Sequence, residues 1–412
     1  MCDWSKLCIR PGRFLLPNET VDISTYAVVA CDQYTAQPEY WQAVENIVQD
    51  KPSAYRMILP ECYLADSKKR IPAIHAAMRR YLADGTLSKA VNGMVLTRRT
   101  TASGARLGLL MCVDLEQYDY APDSLSPIRV TEGTITSRIP PRLQVRADAP
   151  LELSHVLLLT DDPKCTLIEP LYAARDKHPK LYDTELMQGG GHLEGWAIED
   201  KDTLSQIYTV VSEMTERAGE NGIVFAVGDG NHSLATARAH WLNVRKDLPK
   251  SEWAAHPARY AMVELINLHD PALQFEPIHR VLFNISASKV KALLADCQPV
   301  CEPEQPDIVL VHQGGDLPLK ITKPLHALTV GTVQKLLDKA DGLQLDYVHG
   351  EEAVRTLVEE QNAVGILLPA MDKAALFPAV LKDGALPRKT FSMGEANEKR
   401  FYLEARSITK DC

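Results

Sequence analysis

The chain has 412 residues, too many for one ordinary hydrophobic core, so two or three domains are expected. Its composition, 45% hydrophobic and 24% charged, is that of a soluble globular protein. The formal net charge of -9 argues against nucleic acid or an anionic membrane as partner. The nine cysteines are scattered from Cys2 to Cys412 and form no CxxC pair. Cys297 and Cys301 are four apart, but no second Cys or His pair stands at zinc spacing. Reduced thiols in a cytoplasmic protein are therefore expected. The start, Met1-Cys2-Asp3-Trp4, leads into no apolar stretch of the kind a secretion signal needs. No uninterrupted apolar run is long enough to span a bilayer.

In chain order, Tyr26 to Cys31 reads as a buried strand ending at the polar Asp32-Gln33-Tyr34-Thr35. Asp32 is then either a turn residue or part of a site at a strand end. Pro38 starts a helix with Trp41, Val44, Ile47 and Val48 on one stripe. Tyr55 to Pro60 reads as a strand, and 71–83 as a helix. Gly93 to Arg98 and Leu107 to Asp114 form a hairpin around Ser103-Gly104. The punctuation at Tyr120 to Ser124 marks a domain boundary. Further on, the spacing predicts strands at 155–160, 196–198 and 260–266, and helices at 166–176 and 204–218. Gln188 to Trp196, with three successive glycines, reads as a hairpin or loop. From about residue 286 the texture changes. A helix at 287–296 and a linker at 298–306 lead into strands at 308–312, 319–322 and 363–368. Helices follow at 331–340, 350–360 and 371–382, with a last strand near Lys399 to Glu404. The fold class is α/β: an N-terminal unit (1–120), a central core (121–285) and a C-terminal α/β unit (286–412).

The chemistry concentrates in Val224 to Ala237. A short buried strand turns at Gly228-Asp229-Gly230 and enters a helix that runs to about Val244. Asp229, Asn231, His232 and Ser233 sit at the helix start. A helix N-terminus presents unbonded N–H groups and the positive end of a dipole, which suits an anion. The adjacent carboxylate suits Mg²⁺. The plainer alternative is a corner with Asp229 or Asn231 as cap. Elsewhere, Thr131-Glu132-Gly133-Thr134 with Arg138 and Arg142 offers a base beside phosphate-binding cations, or else a surface ion-pair cluster. The chain has no GxxxxGK[ST], no GxSxG and no HExxH. Gly228 to Ser233 is the nearest match to a dinucleotide fingerprint, but Ser233 replaces the third glycine and no acidic strand end follows to hold a ribose. Asp229, His232 and Ser233 are too close in sequence to face one another as a hydrolase triad.

These motifs, in this order, resemble the family called domain of unknown function 1015, whose core is similar to the ParB-like and sulfiredoxin-like nucleotide-binding fold that includes free-serine kinases. The family's Asp-Gly-His-His-Arg motif looks like Asp229-Gly230-Asn231-His232-Ser233. Its His-Glu-x-Thr segment, with an arginine ten residues after the glutamate, looks like Thr131 to Thr134 with Arg142. Pro277-Ile278-His279-Arg280 and Pro387-Arg388-Lys389-Thr390 match two further segments, and the Asp32 region also looks like the family's. Asn231 stands for a histidine, Ser233 for an arginine, and Thr131 for the histidine before the glutamate. The lost arginine removes a bidentate phosphate contact.

The resemblance implies a phosphotransferase that uses ATP or ADP with Mg²⁺ on a small hydroxyl metabolite, free L-serine being the candidate. Glu132 would accept the hydroxyl proton and Asp229 would hold Mg²⁺. His232 and the helix N–H groups, with Gly230, Asn231 and Ser233, would face the phosphates. Arg142, Arg280 and Lys389 would bind phosphate. The alternative is a nucleotide-binding sensor or switch without turnover.

Overall fold

The computed structural model describes residues 2–410; Cys412 lies outside the described residues. The chain packs as two compact units. The first draws on the chain up to Val130, from Thr134 to Leu273, and from Glu395 onward. The second consists of Thr131–Gly133 and Gln274–Gly394. The fold class is α/β, as the alternation of elements implies.

The expected break near residue 120 falls inside the first unit. Strands from both sides of it share one 11-stranded sheet. The hairpin Leu87–Thr101 and Gly104–Asp114 pairs through its second strand with Tyr260–Asn267, antiparallel, from Tyr260 opposite Asp114 to Leu265 opposite Leu109. Tyr260–Asn267 then runs parallel to Leu157–Thr160, which pairs antiparallel with Phe225–Asp229. Phe225–Asp229 lies parallel to Ile128–Val130. Strands Leu157–Thr160 and Phe225–Asp229 read as short continuous apolar runs because both faces are covered: Leu157, Leu158, Leu159, Phe225, Ala226 and Val227 are all fully buried.

Helix Pro38–Val48 buries Trp41, Val44 and Val48, the stripe its spacing predicts. Helix Ser67–Ala83 buries Ile74, Ala77, Met78 and Tyr81. Both join one core with Phe14, Tyr26, Val28, Phe401 and Leu403. The C-terminal segment is part of that core: Phe401–Tyr402 pairs with Val28–Val29. Two elements around this core differ from expectation. The apolar run at Tyr55 to Pro60 is not a strand; Ala54–Met57 is a 3-10 turn begun by the Ser53 hydroxyl, which accepts the Tyr55 N–H at 3.2 Å. At Tyr26 to Cys31 only Val28–Val29 is strand, because Asp22 caps a helical turn over Ile23–Tyr26.

The second unit is built on an antiparallel sheet ordered Pro299–Cys301, Gly315–Ile321, Ile308–His312, Ala363–Leu367, Phe275–Phe283, Gln344–His349. Part of the expected linker at 298–306 is therefore the edge strand Pro299–Cys301. Strand alternation divides the apolar residues between two faces. Leu282, Leu310 and Val364 pack with Val330, Val333 and Leu336 of helix Thr329–Leu337. Their neighbours Val281, Val311 and Ala363 pack with Val354 and Val358 of helix Glu351–Glu360. Among the described residues no helix is long and apolar enough to cross a membrane.

Candidate functional site

The strand–turn–helix stands where the sequence places it, as strand Phe225–Asp229 and helix Asn231–Val244. The turn residue is Gly230, left-handed at φ 78°. A Cβ there would lie 2.9 Å from the Val156 Cα, so both the torsion and the close approach require glycine. The helix is anchored by buried Leu234, Ala235, Ala237 and Trp241. No side chain caps its N-terminus. Asp229 instead accepts the Gly230 N–H through Oδ1 at 2.7 Å and pairs through Oδ2 with Lys399 Nζ at 3.1 Å. The plain capped-corner reading therefore fails for Asp229 and Asn231. The buried Asn231 Oδ1 has no hydrogen-bond partner among the described residues.

A second acid lies beside this turn. Asp32 Oδ2 is 3.5 Å from His155 Nε2. The other ring nitrogen, Nδ1, is 2.5 Å from the Tyr402 hydroxyl, which donates to Cys31 Sγ at 3.1 Å. Burial opposes charge on both members of the pair, but each outweighs that penalty for the other. His155 is raised above its ordinary value by the charge and hydrogen bond of Asp32, with a further push from Asp229. Asp32 is lowered, against burial, by His155, by its Gln33 hydrogen bond and by Lys399. A protonated His155 donates from both nitrogens, which fits a carboxylate on one side and a phenol oxygen on the other. Burial and then the adjoining Asp32 push the Cys31 thiol up to about 12, so it is no nucleophile near neutral pH.

His232 behaves oppositely. Its Nε2 accepts the Ile135 N–H at 3.1 Å. Burial, with the charges of Arg142 and Arg138, lowers it to about 4. It is neutral near pH 7 and can meet a phosphate only as an Nδ1–H donor. Arg142, on helix Ile139–Ala147, ion-pairs with Glu61 and donates to the Arg138 carbonyl at 2.8 Å. Ser233 lines a cavity with Arg142 and His155.

The first unit thus gathers Asp229, Gly230, Asn231, His232, Ser233 and Arg142. Glu132, Arg280 and Lys389 belong to the second unit. There the two Glu132 oxygens accept the N–H groups of Lys389 and Thr390, each at 3.1 Å. Arg280 is fully buried. Its guanidinium donates to Gln334 Oε1 at 3.0 Å, the Ile278 carbonyl at 2.5 Å and the Lys389 carbonyl at 2.9 Å. That fork is spent on holding the Pro387 to Thr390 loop. Lys389 is exposed, with φ 57°.

The sequence reading missed Lys399, His155, Glu61 and Tyr402. The pairing of Lys399 with Asp229 spans 170 positions, and no local pattern announces it. Among the described residues no group of three or more His, Cys, Asp or Glu side chains converges as metal ligands. Both Asp229 oxygens are engaged, Oδ1 by the Gly230 N–H and Oδ2 by Lys399.

Residues 9–340 match the family described as protein of unknown function DUF1015, and the chain belongs to that family. No curated protein matches the sequence. Solved structures similar to this chain include a conserved hypothetical protein from Pyrococcus furiosus, at 12% identity and a TM-score of 0.36, covering 69% of this chain and 93% of that one. A free serine kinase in complex with AMP aligns at 10% identity and a TM-score of 0.39, over 73% of this chain and 92% of that one. SbnI with C-terminal truncation from Staphylococcus aureus aligns at 11% identity and 0.36, over 73% and 83%.

Proposed function

We propose that the chain binds a nucleotide at the Gly230 turn and transfers a phosphoryl group from ATP or ADP to a small hydroxyl metabolite. The order of the motifs around Asp229, Glu132, Arg280 and Lys389 supports a ParB/sulfiredoxin-like core and makes free L-serine the first acceptor to try. The observation that carries the reading is the uncapped N-terminus of helix Asn231–Val244, flanked by Lys399 and by the Asp32–His155 pair. Phosphoryl transfer needs positioning and charge more than covalent chemistry. The helix N–H groups and Lys399 supply donors and positive charge for phosphate oxygens. His232 supplies one neutral N–H. Asp32 is a carboxylate held ionised beside the turn, placed to hydrogen-bond and orient a hydroxyl, and its lowered pKa makes it a weak base. Glu132 is the other candidate base; its two oxygens accept the N–H groups of Lys389 and Thr390, and a carboxylate can accept more than two hydrogen bonds.

A specific observation favours a second reading, a nucleotide-binding sensor without turnover. Asp229 is tied to Lys399, and Asn231 and Ser233 stand where the family motif has histidine and arginine. One experiment separates the two. The protein is incubated with Mg²⁺, ATP or ADP and a pool of amino acids, and products are sought by mass spectrometry beside calorimetric nucleotide binding. A phosphorylated product supports the transferase. Binding without product supports the sensor, and no binding refutes both. Asp32→Asn and Glu132→Gln then identify the base by which one abolishes turnover.

A further inference from the structure

A cavity of about 130 Å³ lies in the first unit against the start of helix Asn231–Val244. Its floor is apolar: Met57, Ile58, Met78 and Leu151 line it, and each is at most 6% exposed. Apolar cavities of roughly 150 Å³ stay dry and accept a benzene-sized guest. The volume therefore fits a branched or aromatic group of four to seven carbons.

Its remaining wall is charged with both signs. Glu61 and Arg142 form an ion pair there and keep 15% and 21% side-chain exposure. Arg146 stands one helical turn beyond Arg142 on the same helix face. One of its terminal nitrogens bonds Glu152 at 2.5 Å, while its buried Nε–H has no hydrogen-bond partner among the described residues. A buried donor left unpaired is costly and marks a place where an acceptor belongs. The wall thus offers donors for a carboxylate from Arg142 and Arg146, and a carboxylate for an ammonium from Glu61.

We propose that this cavity binds an α-amino acid with a branched aliphatic or aromatic side chain. The carboxylate meets Arg142 and Arg146, the ammonium meets Glu61, and the side chain fills the apolar floor. The site stands on the cavity and its two charges, and does not depend on the phosphotransferase reading.

Calorimetry on the full chain tests it with L-leucine, L-phenylalanine, L-serine, leucinamide, 4-methylpentanoate and AMP. L-leucine or L-phenylalanine is expected to bind at least about 50-fold more tightly than L-serine, from burial of some three extra carbons. Leucinamide lacks the carboxylate and 4-methylpentanoate lacks the ammonium, so each is expected to bind at least tenfold more weakly than L-leucine, as one lost charge contact implies. Ala149 is buried and also lines the cavity, so Ala149→Leu, which fills it, is expected to abolish amino-acid binding while nucleotide binding persists. Arg142→Gln, if Ala149→Leu does not fold, is expected to bring L-leucine down to the affinity of leucinamide. Failure of every apolar amino acid to bind at millimolar concentration overturns the proposal. So does AMP competing with L-leucine and being lost in Ala149→Leu, which would make the cavity a nucleobase site. Amino-acid binding without any phosphorylated product would leave this site standing and sink the transferase reading alone.

Discussion

Arg400→Met is the substitution whose cost follows most directly from the packing of the first unit. Arg400 is almost fully buried. Its guanidinium reaches Glu264 at 2.9 Å, Glu404 at 2.6 Å and the Ser154 carbonyl at 2.5 Å. Burial opposes the charge, but the two carboxylates more than offset it and hold Arg400 above its ordinary value. Methionine preserves much of the volume and leaves Glu404 to the Tyr182 hydroxyl, and Glu264 to the Thr97 hydroxyl and the more distant charges of Arg106 and Arg99. Breaking a buried pair in this way costs about 3–5 kcal/mol. All five tryptophans, Trp4, Trp41, Trp196, Trp241 and Trp253, lie in the first unit, so urea unfolding followed by tryptophan fluorescence reads that unit alone. The sign of the pH effect is fixed as well. Without the arginine, the folded-state pKa of a stranded carboxylate rises above its unfolded value, so the loss is largest at pH 7 and shrinks toward pH 5. A loss under about 1 kcal/mol at pH 7, set against that 3–5 kcal/mol, or a loss unchanged at pH 5, would refute this account.

Other outcomes follow from the site. Gly230→Ala forces a left-handed alanine against the Val156 backbone and is expected to cost about 2–3 kcal/mol, read as a lower urea midpoint; an unchanged midpoint would mean the turn relaxes freely. The raised His155 contributes stability that is complete below its unfolded value of about 6.5 and is lost as pH rises through its folded value. The depressed Asp32 contributes stability present above about 3.9 and lost as pH falls through its folded value. Wild type is therefore expected to lose urea resistance from pH 6.5 to 8.5 more steeply than Asp32→Asn, and parallel profiles would refute the coupling. Lys399→Met is expected to weaken ATP binding about tenfold, as loss of one charge-assisted phosphate contact, measured by calorimetry; unchanged affinity would remove Lys399 from the phosphate site.

Local patterns were readable where one element carries its own instructions. Phe225, Ala226 and Val227 announce a buried strand, Gly230 the turn, and Leu234 with Ala237 the helix face. The hairpin around Gly104 was equally plain, because apolar runs flank a short turn at Ser103-Gly104. The failure at Tyr55 to Pro60 has the same physics: a short apolar run is buried in either conformation, and Ser53 decides in favour of a turn. The site's charges were legible only in part. Asp229 and Asp32 stood out at strand ends, but which cation meets each depends on sheet order. Lys399 reaches Asp229 because the C-terminal segment returns to the first unit. Glu61 reaches Arg142 because a 3-10 turn stands where a strand was expected.

That return of the C-terminal segment governs how the protein is made. The first unit takes Tyr402, Arg400 and Lys399 from the segment that begins at Glu395. On the ribosome, more than a hundred residues of the second unit are synthesised between the strand Tyr260–Asn267 and the side chain that neutralises Glu264. The second unit has nearly all of its sequence by Gly394 and can close its sheet first. The first unit waits with Glu264 lacking Arg400 and Asp229 lacking its lysine until the last stretch emerges. A premature stop between Gly394 and Lys399 would thus spare the later-made unit and cripple the earlier one, reversing the usual rule that the N-terminal unit matures first.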